Sequence, residues 1–72
     1  MISQNVRRIR KAKELSQDRL AKLAGITLTT LVKIESGAND NPTLKTLKKI
    51  ANALEVPVND LLEDESETPY SR

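Results

Sequence analysis

Apolar residues recur every three or four positions along most of the chain, and no stretch alternates with the two-residue period of a strand. This spacing predicts five short helices and an all-α fold. In the first helix, Ile2, Val6 and Ile9 fall on one face, and Ser3 is a candidate N-cap. Arg7, Arg8, Lys11 and Lys13 then occupy the rest of the helix surface.

Capping residues and glycines delimit the next two helices. Ser16 is a good N-cap for a helix at 17–24, which Gly25 ends because glycine adopts the left-handed conformation at little cost. Thr27 is the N-cap of a third helix at 28–36, which Gly37 closes. The residues of the second helix that we expect to point inward are Leu20, Ala21, Leu23 and Ala24.

The last two helices follow a polar loop at 38–42. Thr43 caps the fourth helix, whose apolar stripe runs through Leu44, Leu47, Ile50, Ala51 and Leu54. A fifth, shorter helix starts in the segment Val56-Pro57-Val58 and ends near Leu62. The sequence leaves two alternatives for its N-terminus: Pro57 is the first helical residue, or Asn59 is the N-cap.

Composition narrows the possible chemistry. A chain of 72 residues holds one domain. It contains no cysteine and no histidine, so we expect no disulfide, no metal site, no cofactor and a cytoplasmic location. Its one aromatic residue, Tyr70, argues against a protein that stacks single-stranded bases on aromatic rings.

Charge divides the chain into a basic body and an acidic end. Residues 1–62 hold eleven Lys or Arg against six Asp or Glu, whereas residues 63–72 hold four acids and one arginine. We expect a domain at 1–62, a disordered tail at 63–72, and no membrane segment. The basic body suggests a polyanionic partner, although solubility alone would explain the charge equally well.

The segment 17–36 carries the most information, because about three residues join its two helices and force them to cross steeply. Such a crossing requires a small residue at the contact, which Ala21 supplies, and a positive φ in the turn, which Gly25 allows. The outward side chains of the second helix are Leu28, Thr29, Thr30 and Lys33. None of them is a general acid or base suited to neutral pH, so we expect no enzyme.

This pattern resembles the helix-turn-helix of the phage-repressor and Cro family, the XRE-type bacterial regulators. The similarity covers residues 4–62. It rests on Ser16-Gln17, Leu20-Ala21, Ala24-Gly25-Ile26, Leu31, Ile34-Glu35-Ser36-Gly37, Asn41-Pro42-Thr43, Leu47, Ile50-Ala51, Leu54 and the run 56–62. The resemblance implies a compact five-helix repressor-like domain that binds double-stranded DNA with its third helix in the major groove.

The resemblance also implies a role for individual residues. Gln17 and Thr27 would contact phosphates; Leu28, Thr29 and Lys33 would face base edges, and Thr30 would lie at the groove wall. The loop 39–43 would approach a second run of phosphates through backbone N–H groups, which adds Asn39, Asn41 and Thr43 to the candidates. Relatives often carry Gln, Asn or Arg where Leu28 and Thr29 stand, and cations where the loop has Asp40. We therefore expect modest affinity, with Leu28 limited to apolar contact such as a thymine methyl.

Two further expectations follow from the resemblance. Arg10 is at a position that pairs in similar repressors with the acid at the position of Glu35. The resemblance therefore predicts a partly buried, bidentate ion pair between Arg10 and Glu35. Similar proteins bind palindromic operators as homodimers, so we expect a dimer, which the free protein need not form without DNA, through the surface around Val56, Pro57, Val58 and Asp60. The alternative function is an antitoxin or another protein-interaction module with a toxin as partner.

Overall fold

The computed structural model describes residues 1–63, and these fold into five α-helices without a strand. The helices are α1 (Ile2–Ala12), α2 (Gln17–Ala24), α3 (Leu28–Ser36), α4 (Leu44–Leu54) and α5 (Asn59–Leu62). The all-α prediction is therefore confirmed, and so are the predicted limits of the second and third helices. The longest described helices have 11 residues, and none within 1–63 is long and apolar enough to cross a membrane.

Three hydroxyl side chains begin helices as the sequence predicts. The oxygens of Ser16, Thr27 and Thr43 accept hydrogen bonds of 3.0–3.1 Å from the backbone N–H three residues on. Each satisfies one of the N–H groups that a helix N-terminus leaves without an internal partner. These bonds fix the directions in which α2, α3 and α4 leave their preceding turns.

The core lies where α2 packs against α3 and α4, and where α1 packs against α3, α4 and α5. Its fully buried side chains are Val6, Leu20, Leu31, Ile34, Ile50, Leu54 and Leu61. All come from the apolar stripes of their helices, because a helix of this size is stable only with that stripe removed from water. Among the predicted stripe residues of α4, Leu44 is the exception, at 57% exposed.

The structure corrects three details of the sequence interpretation. Ser3 does not cap α1, because Met1 is the N-cap and its carbonyl already accepts the N–H of Asn5, so that Ile2 joins the helix and packs on the core. Leu23 does not point inward; it is 49% exposed because the buried face of α2 is narrower than predicted. Helix α5 begins at Asn59 after an N-cap residue, Val58, whose side chain makes no capping bond.

One buried polar side chain attaches the end of the described chain to α1. Asn5 is 3% exposed, and its amide donates to the carbonyl of Leu61 at 2.9 Å and to that of Glu63. The carbonyls at the end of a helix lack hydrogen-bond donors within that helix, and Asn5 of α1 supplies a donor here. Apart from Glu63, the acidic tail predicted at 63–72 lies outside the described residues.

Candidate nucleic-acid interface

The turn between α2 and α3 sets the angle at which α3 meets the rest of the domain. Gly25 has a φ of 71°, and the N–H of Ile26 returns to the carbonyl of Ala21 at 3.0 Å. Two backbone hydrogen bonds and the left-handed Gly25 end α2, an arrangement that is typical of helix C-termini. Ala21 is 2% exposed, so its methyl group occupies the close contact that the steep crossing creates.

A buried ion pair holds the C-terminal half of α3 against α1. Arg10 Nε lies 2.7 Å from Glu35 Oε2, and Arg10 Nη2 lies 3.0 Å from Glu35 Oε1, which confirms the predicted bidentate pair. The guanidinium also donates to the carbonyl of Leu15 at 2.7 Å. Because the side chains are only 10% and 3% exposed, the pair is desolvated and fixes α3 firmly.

The same carboxylate also receives Gln17. The amide nitrogen of Gln17 donates to Glu35 Oε1 at 3.0 Å, so the start of α2 is tied to the end of α3. One of its two N–H groups is used in this bond, and an amide nitrogen carries a second. A phosphate contact from Gln17, which the resemblance implies, would use that second N–H.

Outward residues of α3 form the surface that the predicted docking needs. Leu28 is 43% exposed, Thr29 and Lys33 are exposed, and Thr30 is half-buried. Leu31 and Ile34 occupy the opposite side of the helix and are completely buried. The structure thus presents the predicted base-facing residues together on one side of one helix.

Thr27 and Thr43 occupy equivalent places at the N-termini of α3 and α4. Each caps its helix through its own oxygen and also donates its hydroxyl to the threonine three residues on, at 2.8 Å and 3.0 Å. The first-turn N–H groups of the two helices give each end a partial positive charge, which suits a phosphate. The hydroxyl groups themselves are already engaged within the domain.

The loop before α4 is organised by its own polar groups. Asn39 donates its N–H to the carbonyl of Lys33 at 2.9 Å, and its side-chain oxygen accepts the N–H of Asn41 at 3.1 Å. The two N–H groups at 39 and 41 are therefore used within the protein. A phosphate contact from this segment would rely on side chains and on the first turn of α4.

Sequence reasoning missed three residues next to this surface. A groove of about 310 Å³ lies between α1 and α3, and Arg7, Lys11 and Val32 are among the residues that line it, beside Gln17. Val32 is 39% exposed and follows the exposed Leu28 by four residues, a spacing that could have revealed it. Arg7 and Lys11 add positive charge beside α3.

Within residues 1–63, the acidic side chains form no cluster that could hold a metal.

Comparisons with known proteins agree with this geometry. The family model described as helix-turn-helix matches residues 6–61. The chain is 37% identical over 70 residues to the HTH-type transcriptional regulator SinR of Bacillus subtilis, an alignment that covers 97% of this chain and 63% of SinR. The chain thus spans less than two thirds of that relative's length.

Solved structures of SinR superimpose closely on this fold. The N-terminal DNA-binding domain of SinR from Bacillus subtilis matches with a TM-score of 0.87 at 36% identity, covering 93% of this chain and 97% of that one. A crystal structure of SinR, the master regulator for biofilm formation, in complex with DNA matches with a TM-score of 0.84 at 36% identity, covering 88% of this chain and all of that one. The chain belongs to the helix-turn-helix family of XRE-type regulators.

Proposed function

We propose that this protein is a sequence-specific, double-stranded DNA-binding regulator of transcription. The observation that carries the proposal is α3 itself: this helix is held against α1 by the Arg10–Glu35 pair and exposes Leu28, Thr29 and Lys33. A rigid helix of this kind fits the major groove of B-DNA. The similarity to SinR, which has been crystallised with DNA, supports the same partner here.

In this proposal α3 enters the major groove and α2 crosses the backbone. Leu28, Thr29 and Lys33 face base edges, and Thr30 lies at the groove wall. Phosphates on one side meet Gln17 and the N-terminus of α3 at Thr27. Phosphates on the other side meet the segment of Asn39, Asn41 and Thr43 at the start of α4. In a bacterial regulator similar to SinR, DNA as the partner places this action in the cytoplasm.

Selection of bound duplexes from a random DNA pool tests the function directly. We expect enrichment of one short motif, repeated with two-fold symmetry. A pool that yields no enriched sequence even at low salt would refute sequence-specific binding and would favour the alternative, a module that binds another protein such as a toxin.

Four variants then separate the contacts that position the protein from those that recognise sequence. Gln17→Ala and Thr27→Ala should weaken binding to all duplexes by a similar factor, because phosphates carry no sequence information. Thr29→Ala and Lys33→Ala should instead cost roughly 1–3 kcal/mol on the selected site and far less on random DNA. A Lys33→Ala variant with unchanged specificity and a shallower salt dependence would reassign Lys33 to a phosphate.

We further propose that two copies bind a palindromic operator, because one recognition helix contacts too few base pairs for useful specificity. The surface around Val56, Pro57, Val58 and Asp60 is the candidate contact. Here Pro57 is exposed, and the two valines are half-buried against the core. So small an apolar patch supports pairing on DNA rather than in free solution.

Sedimentation of the protein with and without a palindromic duplex measures this assembly. We expect monomers alone and two copies on each saturated duplex. A single copy on a saturated palindrome would contradict dimeric binding.

A further inference from the structure

Two apolar side chains lie exposed on adjacent turns of α3. Leu28 is 43% exposed and Val32 is 39% exposed. At 3.6 residues per turn, positions four apart differ by only about 40° around the helix, so the two side chains share one flank. The fully buried Leu31 and Ile34 define the core side of the same helix, and the flank of Leu28 and Val32 lies between that side and the outward Thr29 and Lys33.

The rest of the outward face cannot form the strongest base contacts. Helix α3 contains no arginine, asparagine or glutamine, the side chains whose paired hydrogen-bonding groups recognise guanine and adenine. Lys33 offers an ammonium group without the fixed fork of an arginine, and Thr29 offers a hydroxyl. Leu28 and Val32 can make only apolar contacts with bases. The one apolar group that bases display in the major groove is the 5-methyl of thymine.

We propose that Leu28 and Val32 together recognise thymine methyl groups in each half-site, an inference that rests on the proposed function. The two β-carbons are separated by about 5–6 Å, as in any helix at this spacing. Successive bases are about 3.4 Å apart along a strand. The pair therefore contacts methyl groups on base pairs one or two steps apart, and Lys33 selects a guanine on the other flank of the helix.

Replacement of thymine by deoxyuridine tests the inference, because uracil keeps the hydrogen-bonding edge of thymine and lacks only the methyl group. Each thymine of the selected half-site is replaced singly, and the affinity of the full 72-residue chain is measured. At two positions, one or two steps apart, we expect affinity to fall about four-fold, the factor expected for one buried methyl group. At every other thymine the replacement should have no effect.

Variants assign each methyl group to its side chain. In Val32→Ala one of the sensitive thymines should become insensitive to deoxyuridine, and in Leu28→Ala the other should. Leu23→Ala, at a leucine of α2 that is 49% exposed, is the matched control and should keep the wild-type profile.

The outcomes separate this inference from the proposed function. A selected site whose thymines all tolerate deoxyuridine, or that contains no thymine, overturns the inference and leaves sequence-specific binding standing. A Val32→Ala variant that binds all duplexes equally less well also overturns it, because Val32 would then lie against the sugar-phosphate backbone. A pool without any enriched sequence overturns both proposals.

Discussion

The ion pair between Arg10 and Glu35 provides the sharpest test of how α3 is held. Arg10→Met leaves a carboxylate, whose side chain is 3% exposed, with Gln17 as its only hydrogen-bonding partner among those the structure shows. Glu35→Leu leaves a guanidinium with only the Leu15 carbonyl. Removal of one member of a buried pair costs about 3 kcal/mol, because the remaining charge stays desolvated without its partner.

The double variant should cost no more than either single variant. Apolar side chains can replace a buried ion pair at little net cost, although Leu15 and Gln17 each lose a hydrogen bond worth about 1 kcal/mol. We therefore expect a double loss of about 2 kcal/mol and a coupling energy of about 4 kcal/mol between the two positions. A chain of this length has a free energy of unfolding on the order of 5 kcal/mol, so all three variants remain measurable.

Urea denaturation followed by circular dichroism measures each free energy. With a slope of about 1 kcal/mol per molar urea for a small domain, each single variant should unfold at a concentration lower by about 3 M and the double variant at one lower by about 2 M. Lys22→Met, which removes an exposed ion pair with Asp18 at 3.4 Å, is the control and should cost well under 1 kcal/mol. A coupling energy below about 1 kcal/mol would refute the reasoning, since it would mean that the pair is effectively solvated.

Three further predictions follow from the structure. Glu55 holds a left-handed φ of 61° at the end of α4, so Glu55→Gly should raise the thermal midpoint by several degrees, because the relieved strain of about 1–2 kcal/mol exceeds the entropy cost of glycine. Asn5→Ala should cost about 1–3 kcal/mol by urea denaturation and speed hydrogen exchange at the end of α5, where backbone carbonyls lose their buried donor. Arg7→Gln with Lys11→Gln should make the salt dependence of DNA binding shallower by about 0.9 for each phosphate that these side chains neutralise, whereas Lys49→Gln on α4 should not.

Several features of the fold could be predicted because they depend on neighbouring residues. Ser16, Thr27 and Thr43 each cap a helix through a bond to the residue three positions on, and Gly25 ends α2 through its own φ. Such interactions need no information from distant parts of the chain. Such caps and glycines also gave the second and third helices their predicted limits.

Other features could not be predicted because distant segments decide them. Glu55 ends α4 in a conformation that usually favours glycine, and Asn5 is buried because it reaches the backbone of α5, which is 56 residues away along the chain. The exposure of Leu23 depends on which side of α2 its neighbours cover. The sequence alone shows which amino acid stands at each of these positions, but not which distant residues surround it in the fold.

The candidate interface likewise has features that the sequence predicts and features that depend on contacts between distant segments. The sequence by itself determined which side chains of α3 face outward, because helical periodicity places Leu28, Thr29 and Lys33 away from the buried Leu31. The resemblance to repressors then made these side chains candidates to contact bases. Tertiary structure alone decided that Gln17 shares Glu35 with Arg10, and that Arg7 lies in the groove beside Val32. These contacts join separate helices, and the packing of α1 against α3, which the local sequence does not encode, brings them together.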